Sequence, residues 1–241
     1  MSKNAIMPLA VREGVTEVGT VQSDPVLLDL PFRGLWLARN SPARRVPSHG
    51  THAFGVTYAI DFIAVDEHGR PAPRTWRSVF AVEPPEVFRG FGEPILAPAG
   101  GTVVAAHDGE ADHAARRSQV TLVPYALGQR QRVREGAAAI AGNHVVIALG
   151  PGGPFVLTAH LRRGTVRVAS GEAVRAGDQI GECGNSGNST QPHVHVQVTD
   201  SVHWPSARGL PMAFRRRHPG GGNAVEPAWM PGESEIVDAG P

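Results

Sequence analysis

The sequence predicts an all-β or β-rich domain of mainly antiparallel sheets. These form a compact sandwich with a groove across one sheet and few or no long helices. Three observations predict it. The 241 residues include 29 glycines and 21 prolines, with aromatics at only 6%, a composition that favours short strands joined by turns. The apolar runs are short, rich in β-branched residues and bounded by glycine. A helical period is hard to find anywhere. Apolar content of 41% is enough for a real core and argues against wholesale disorder.

The elements follow in chain order. "VTEVGTVQ" (15–22) is a candidate strand in an otherwise mixed stretch. "YAIDFIAV" (58–65) alternates only loosely, as a largely buried strand does. "GGTVVAAHDG" (100–109) and "GNHVVIAL" (142–149) are β-rich runs bounded by glycine, and "FVLTAHL" (155–161) follows. Between that strand and "PHVHVQV" (192–198), the segment 170–190 is punctuated by glycine and reads as tight turns between short strands. The best helical candidate is "RQRVREGAAAIA" (130–141). From Arg215 the Gly/Pro-rich tail reads as loosely ordered, and its "RRR" as a solvated turn. The expected organisation is an N-terminal extension over 1–30, a main domain over 31–214 and a tail over 215–241.

Bulk properties exclude several functions. A formal net charge of +1 gives no electrostatic footprint for nucleic acid or a membrane surface. Cys183 is the single cysteine, so no internal disulfide forms, and it lacks a partner arrangement for a nucleophile. The opening run is interrupted by Pro8 and ended by Arg12 and Glu13. It is too short for an export signal or a membrane span, so the expected location, as written, is the cytoplasm. The turn-rich segment at 170–184 resembles lipoyl or biotinyl carriers, but these need an attachment lysine, and the only lysine is Lys3.

The chemistry concentrates in histidines. In a strand, alternate side chains share a face. His193, His195 and Gln197 therefore project from one surface while Val194, Val196 and Val198 pack on the other. The imidazoles stand roughly 6–7 Å apart along the strand, so one can hold a metal while the other reaches a ligand on it. As ordinary residues they would be two polar surface histidines. Asp61 lies among Ile60, Phe62 and Ile63, where a lone carboxylate is costly unless paired or bound to a cation; the bland alternative is an edge-strand turn cap. His49 and His52 precede that strand, and His160 ends another, where its ordinary role is a satisfied core histidine. His68, His107, His113, His144, His203 and His218 read as surface or loop residues.

Together, "SHG…YAIDF", "TAHL" and "GNSGNSTQPHVHVQV" resemble the lysostaphin-type (LytM-like) zinc metallopeptidases, over about residues 46–200. The glycine-rich lead into P-H-x-H is the most specific part. The resemblance implies zinc held by His49 (or His52), Asp61 and His195, with His160 and His193 as catalytic histidines. It also implies a peptide substrate in peptidoglycan, no nucleic-acid partner, and a family usually exported to the cell envelope. Two imidazoles and a carboxylate suit zinc and leave a fourth position for water. One departure stands out. The commonest family pattern places the first histidine four residues before the aspartate, whereas Asp61 follows His49 by twelve and His52 by nine. A longer segment must fold back to deliver either; His49 is favoured because the "SHG…YAIDF" arrangement resembles a variant pattern within the family, and Gly50 permits a sharp turn after it. The competing reading is a LytM-like binding or regulatory module without turnover. A phosphohistidine carrier would not need Asp61 and a third histidine around one metal.

Overall fold

The computed structural model describes residues 24–118, 137–216 and 228–241. Among them lie β1 (Val26–Leu28), β2 (Leu35–Arg39), β3 (Ile60–Ala64), β4 (Pro94–Leu96), β5 (Gly101–His107) and β6 (Asn143–Ala148). β7 (Phe155–Leu161), β8 (Ala173–Val174), β9 (Gln179–Glu182), β10 (Val194–Thr199), β11 (Met212–Phe214) and β12 (Ile236–Asp238) complete the strands. The described α-helices, α1 (Trp76–Phe80) and α2 (Ala137–Ala141), are five residues each. The expected β-rich, mainly antiparallel class is the observed one.

Eight strands form one sheet in the order β12-β2-β3-β10-β7-β6-β5-β8, and every pairing in it is antiparallel. Two small sheets pack beneath it: β1 with β11, which is parallel, and β4 with β9. The core fills the space between. Trp36 and Ala38 of β2, Ile60 and Phe62 of β3, and Val194, Val196 and Val198 of β10 point down into it. They meet Leu28, Ile95, Ile180 and Phe214 from the small sheets. The Phe62 ring lies edge-on to both Phe32 and Phe214. Burying such side chains stabilises by about 1.5–3 kcal/mol each, which holds the lower face of the large sheet shut and leaves its upper face for chemistry.

β3, β10 and β7 are central neighbours in that sheet. Their alternation follows the sequence pattern, because the lower residues are apolar and the upper ones carry Asp61, His195 and Gln197. Backbone pairing brings Asp61 opposite His195 and His195 opposite Ala159.

Other elements depart from the sequence reading. The tail expected to be loose from Arg215 rejoins the body: Trp229 bridges to Phe214, and β12 pairs with β2 at the edge of the large sheet. Its Val237 is an apolar residue that the core buries. Arg215 pairs with Asp29 at 3.4 Å and Arg216 lies over the Trp229 ring; Arg217 and His218 lie outside the described residues. The candidate strand at 15–22 lies outside them too. Of the helical candidate 130–141, residues 137–141 are helical and 130–136 lie outside the described residues. His68, His107 and His203 are exposed and His113 is half-buried, but His144 is buried in β6, correcting its surface assignment. The Trp204 ring lies 5.0 Å from its own and the His107 ring 5.5 Å.

Candidate metal centre

Asp61 is the anchor. Strand alternation turns it up from β3 while its neighbours Ile60 and Phe62 turn down. Its Oδ1 lies 2.8 Å from His195 Nδ1. Its Oδ2 lies 3.2 Å from His49 Nε2 and accepts from Asn40 Nδ2 at 2.7 Å. One ligand atom from each of His49, Asp61 and His195 lies within 4.8 Å of the other two. Among the described residues no other group of three such side chains converges this way.

His49 arrives on the segment between β2 and β3. Ser48 Oγ donates to the Val56 carbonyl at 3.1 Å and so accepts from His49 Nδ1 at 3.0 Å. This crosslink folds the twelve-residue spacing back on itself. His52, the alternative first ligand, is exposed and sits 3.1 Å from Thr57 Oγ1, outside the cluster.

The remaining nitrogens define the electrostatics. With Nδ1 of His49 engaged at Ser48, its Nε2 faces Asp61. With Nε2 of His195 donating to Gln197 Oε1 at 2.9 Å, its Nδ1 faces the same carboxylate. Three acceptor-type groups turned toward one another require positive charge between them, from protons on the rings or from a cation. Burial alone would push the Asp61 carboxyl up. His49 and His193 nevertheless hold it well below the usual range, helped by hydrogen bonds from His195 and His49. Burial likewise disfavours a charged His195, but the hydrogen bond to Asp61, the charge of Asp61 and the hydrogen bond to Gln197 together outweigh it and raise the pKa. An N2O donor set of this kind fits zinc.

Two further histidines flank the cluster. His193, just before β10, donates from Nδ1 to the Gln191 carbonyl at 2.8 Å, leaving Nε2 3.7 Å from Asp61 Oδ1. His160 reaches the site by a local irregularity. Plain alternation along β7 would turn it to the lower face, opposite to Ala159. Between Asn143 and His144 of β6 the pairing jumps from Leu161 to Ala159, so His160 is the extra residue of a bulge. Its φ is +65°, the left-handed region that a histidine rarely adopts. The bulge re-aims the ring upward, where it lies 4.7 Å from that of His193 and 5.9 Å from that of His195. His160 Nδ1 donates to the Ser186 carbonyl at 2.9 Å. Burial lowers the pKa of both His160 and His193, and the neighbouring imidazoles add to the effect. Both are therefore neutral, with Nδ1 as the donor and Nε2 free to accept.

Every residue that the sequence singled out for the site, His49, Asp61, His160, His193 and His195, thus meets in one place, and His52 does not. They line a groove of about 480 Å³ with Phe54, Ile140, Asn188, Thr190 and Trp204 on its walls. The "GNSGNST" segment contributes Asn188 and Thr190 as groove wall. The sequence reading missed Asn40, Ser48 and Ser186, small polar residues with no local signal to mark them. Cys183 is buried, and that burial, with Asp112 and Glu93 nearby, pushes its thiol pKa up, away from nucleophilic use. No helix among the described residues is long and apolar enough to cross a membrane.

Comparison with known proteins gives the following. Residues 87–205 match the model of peptidase family M23, a span that contains His160, His193 and His195 while His49 and Asp61 lie upstream. Among solved structures, the chain is similar to the catalytic domain of a variant of the prophage-encoded M23 protein EnpA from Enterococcus faecalis. That match has 20% identity, covers 64% of this chain and 73% of that one, and has a TM-score of 0.36. The catalytic domain of the antimicrobial peptidase lysostaphin from Staphylococcus simulans matches at 20% identity over 63% and 74% of the two chains, with a TM-score of 0.35. A zinc-containing peptidase from Vibrio cholerae matches at 18% identity over 71% of this chain and 33% of that one, with a TM-score of 0.33. No curated protein matches.

Proposed function

We propose that this chain, whose residues 87–205 match the model of peptidase family M23, is a zinc-dependent endopeptidase that hydrolyses peptide bonds in bacterial cell-wall peptides. The observation that carries this reading is the Asp61 carboxylate clasped between His49 Nε2 and His195 Nδ1, with two neutral histidines beside it. His49, Asp61 and His195 would hold the zinc. A zinc ion held there would supply Lewis acidity toward a peptide carbonyl and would lower the pKa of water from about 16 to about 7.

The chain's own residues supply the rest. His193 Nε2 and His160 Nε2 are the free edges of rings whose Nδ1 protons are committed to the Gln191 and Ser186 carbonyls. Each can accept a proton from the attacking water and return it to the leaving amine, a contribution of about 10²–10⁴-fold. The backbone acceptors hold both rings in one tautomer, so neither has to rotate between accepting and donating. The groove walls around Phe54 and Trp204 exclude water from one side and position an extended peptide across the sheet.

Elemental analysis and peptide cleavage test the proposal together. Asp61→Ala or His195→Ala should abolish stoichiometric zinc binding. His193→Ala and His160→Ala should keep the metal and lose cleavage of peptidoglycan stem or cross-bridge peptides. If all four variants hold zinc like the parent, the ligand assignment is wrong. A zinc-loaded parent that binds cell-wall peptide without cutting it would instead be a binding module.

A further inference from the structure

Gln197 is 2% exposed, and it makes two hydrogen bonds that point in opposite directions. Its Nε2 donates to the Phe54 carbonyl at 3.0 Å, and its Oε1 accepts from His195 Nε2 at 2.9 Å. The amide has only one possible orientation here. A carbonyl can only accept, so the amide nitrogen must face Phe54 and the amide oxygen must face His195. A ring nitrogen facing that oxygen must carry a proton. His195 is therefore fixed with Nε2 as donor and Nδ1 toward Asp61.

The Phe54 carbonyl is itself held hard. Phe54 and Gly55 have φ of +57° and +74°. A Cβ on Gly55 would come within 2.4 Å of Thr199 Cγ2. The turn thus sits directly against β10, two residues beyond Gln197, and it belongs to the same segment that carries His49.

We propose that Gln197 is a positioning residue that ties this turn to the His195 ring. It would fix which nitrogen of His195 faces Asp61 and anchor the long segment that delivers His49, so that both imidazoles are preset for a divalent cation. The inference rests on the zinc reading above. It also accounts for how a twelve-residue spacing between His49 and Asp61 still closes on one point.

The test uses the full chain, freed of metal and titrated with zinc against a chelator, beside nitrogen NMR of the histidine rings. Gln197→Leu keeps the bulk and removes the acceptor, so zinc affinity should fall about 10–100-fold, with His195 populating both tautomers. Gln197→Glu still offers an oxygen to His195 Nε2–H but, when ionised, no donor to the Phe54 carbonyl, so it should keep the single His195 tautomer while its zinc affinity falls by less than that of the leucine variant. A leucine variant that binds zinc like the parent overturns the proposal, as does a glutamate variant whose His195 populates both tautomers. The parent gives a readout that does not depend on any variant folding. Its zinc-bound His195 should show a protonated Nε2 and a coordinated Nδ1, and the reverse pattern overturns the proposal. A parent that binds no zinc at all overturns the zinc reading itself, a different outcome from zinc binding that ignores position 197.

Discussion

His160 shows how much a single residue can cost and still be kept. A non-glycine residue in the left-handed region loses roughly 1–2 kcal/mol, and strain of this kind persists where the surroundings over-determine it. Here the bulge in β7 and the Ser186 carbonyl do so. Without the positive φ the ring would point into the apolar lower face, away from His193. The side chain that suits the backbone and the one that suits the chemistry are therefore different. His160→Asn should fold more stably than His160→Val by about 1–2 kcal/mol, because Asn tolerates this region and a β-branched residue does not. Both should lose cleavage. Urea unfolding of the two variants measures the difference, and equal stabilities would show that the strain is not real.

At the scale of elements, the glycine-rich loop before β10 matters for where it packs as well as for how it turns. Gly187 and Gly142 lie back to back with φ of +68° and +62°. A Cβ on Gly187 would come within 2.5 Å of the Gly142 nitrogen, and one on Gly142 within 2.6 Å of the Gly187 nitrogen. That contact seats Ser186. Its hydroxyl accepts from the Asn143 amide and donates to the Leu161 carbonyl, while its own carbonyl holds His160. Gly187→Ala should therefore destabilise the chain by about 1–3 kcal/mol and also reduce turnover, because the acceptor that sets the His160 tautomer moves. Zinc stoichiometry should be unchanged. Thermal melting, elemental analysis and peptide cleavage on the one variant separate these effects, and a fully active Gly187→Ala would show that the close approach is not needed.

For the whole molecule, the large sheet has two unlike faces. Below, a continuous apolar core joins it to the small sheets. Above, polar and titratable groups are buried beside the small apolar cluster of Ala141, Val146, Leu157 and Ala159. That arrangement links stability to pH away from the proposed metal ligands. Burial lowers the pKa of His144, with His107 adding to the effect. As pH falls through about 6.5, the unfolded chain binds a proton there that the native chain refuses, and stability is lost downward toward the folded pKa. Above about 6.5 the residue contributes nothing to the slope. In metal-free protein, His144→Gln should flatten the loss of unfolding free energy between about pH 7 and pH 5, by at most about 1.4 kcal/mol per pH unit, as urea unfolding at each pH would measure. Parallel curves for parent and variant would rule out a burden from His144.

Much of the site was legible in the chain because it is written in local patterns. The alternation in "PHVHVQV" reports which side chains share a face, since the strand period is two whatever the neighbours are. A carboxylate amid apolar residues at Asp61 reports a hidden partner, since burying it alone is too costly. "FVLTAHL" is strand from Phe155 to Leu161, as expected. The rest depended on distance in sequence. The alignment of Asp61 with His195, 134 residues apart, the choice of His49 over His52, and the return of β12 to the sheet edge all depend on which strands pair. Residue patterns leave that open, because many registers satisfy the same alternation and only the joint packing of the core selects one. The bulge at His160 belongs with these. A local sequence supplied the histidine, and the mismatch between two paired strands decided which way it points.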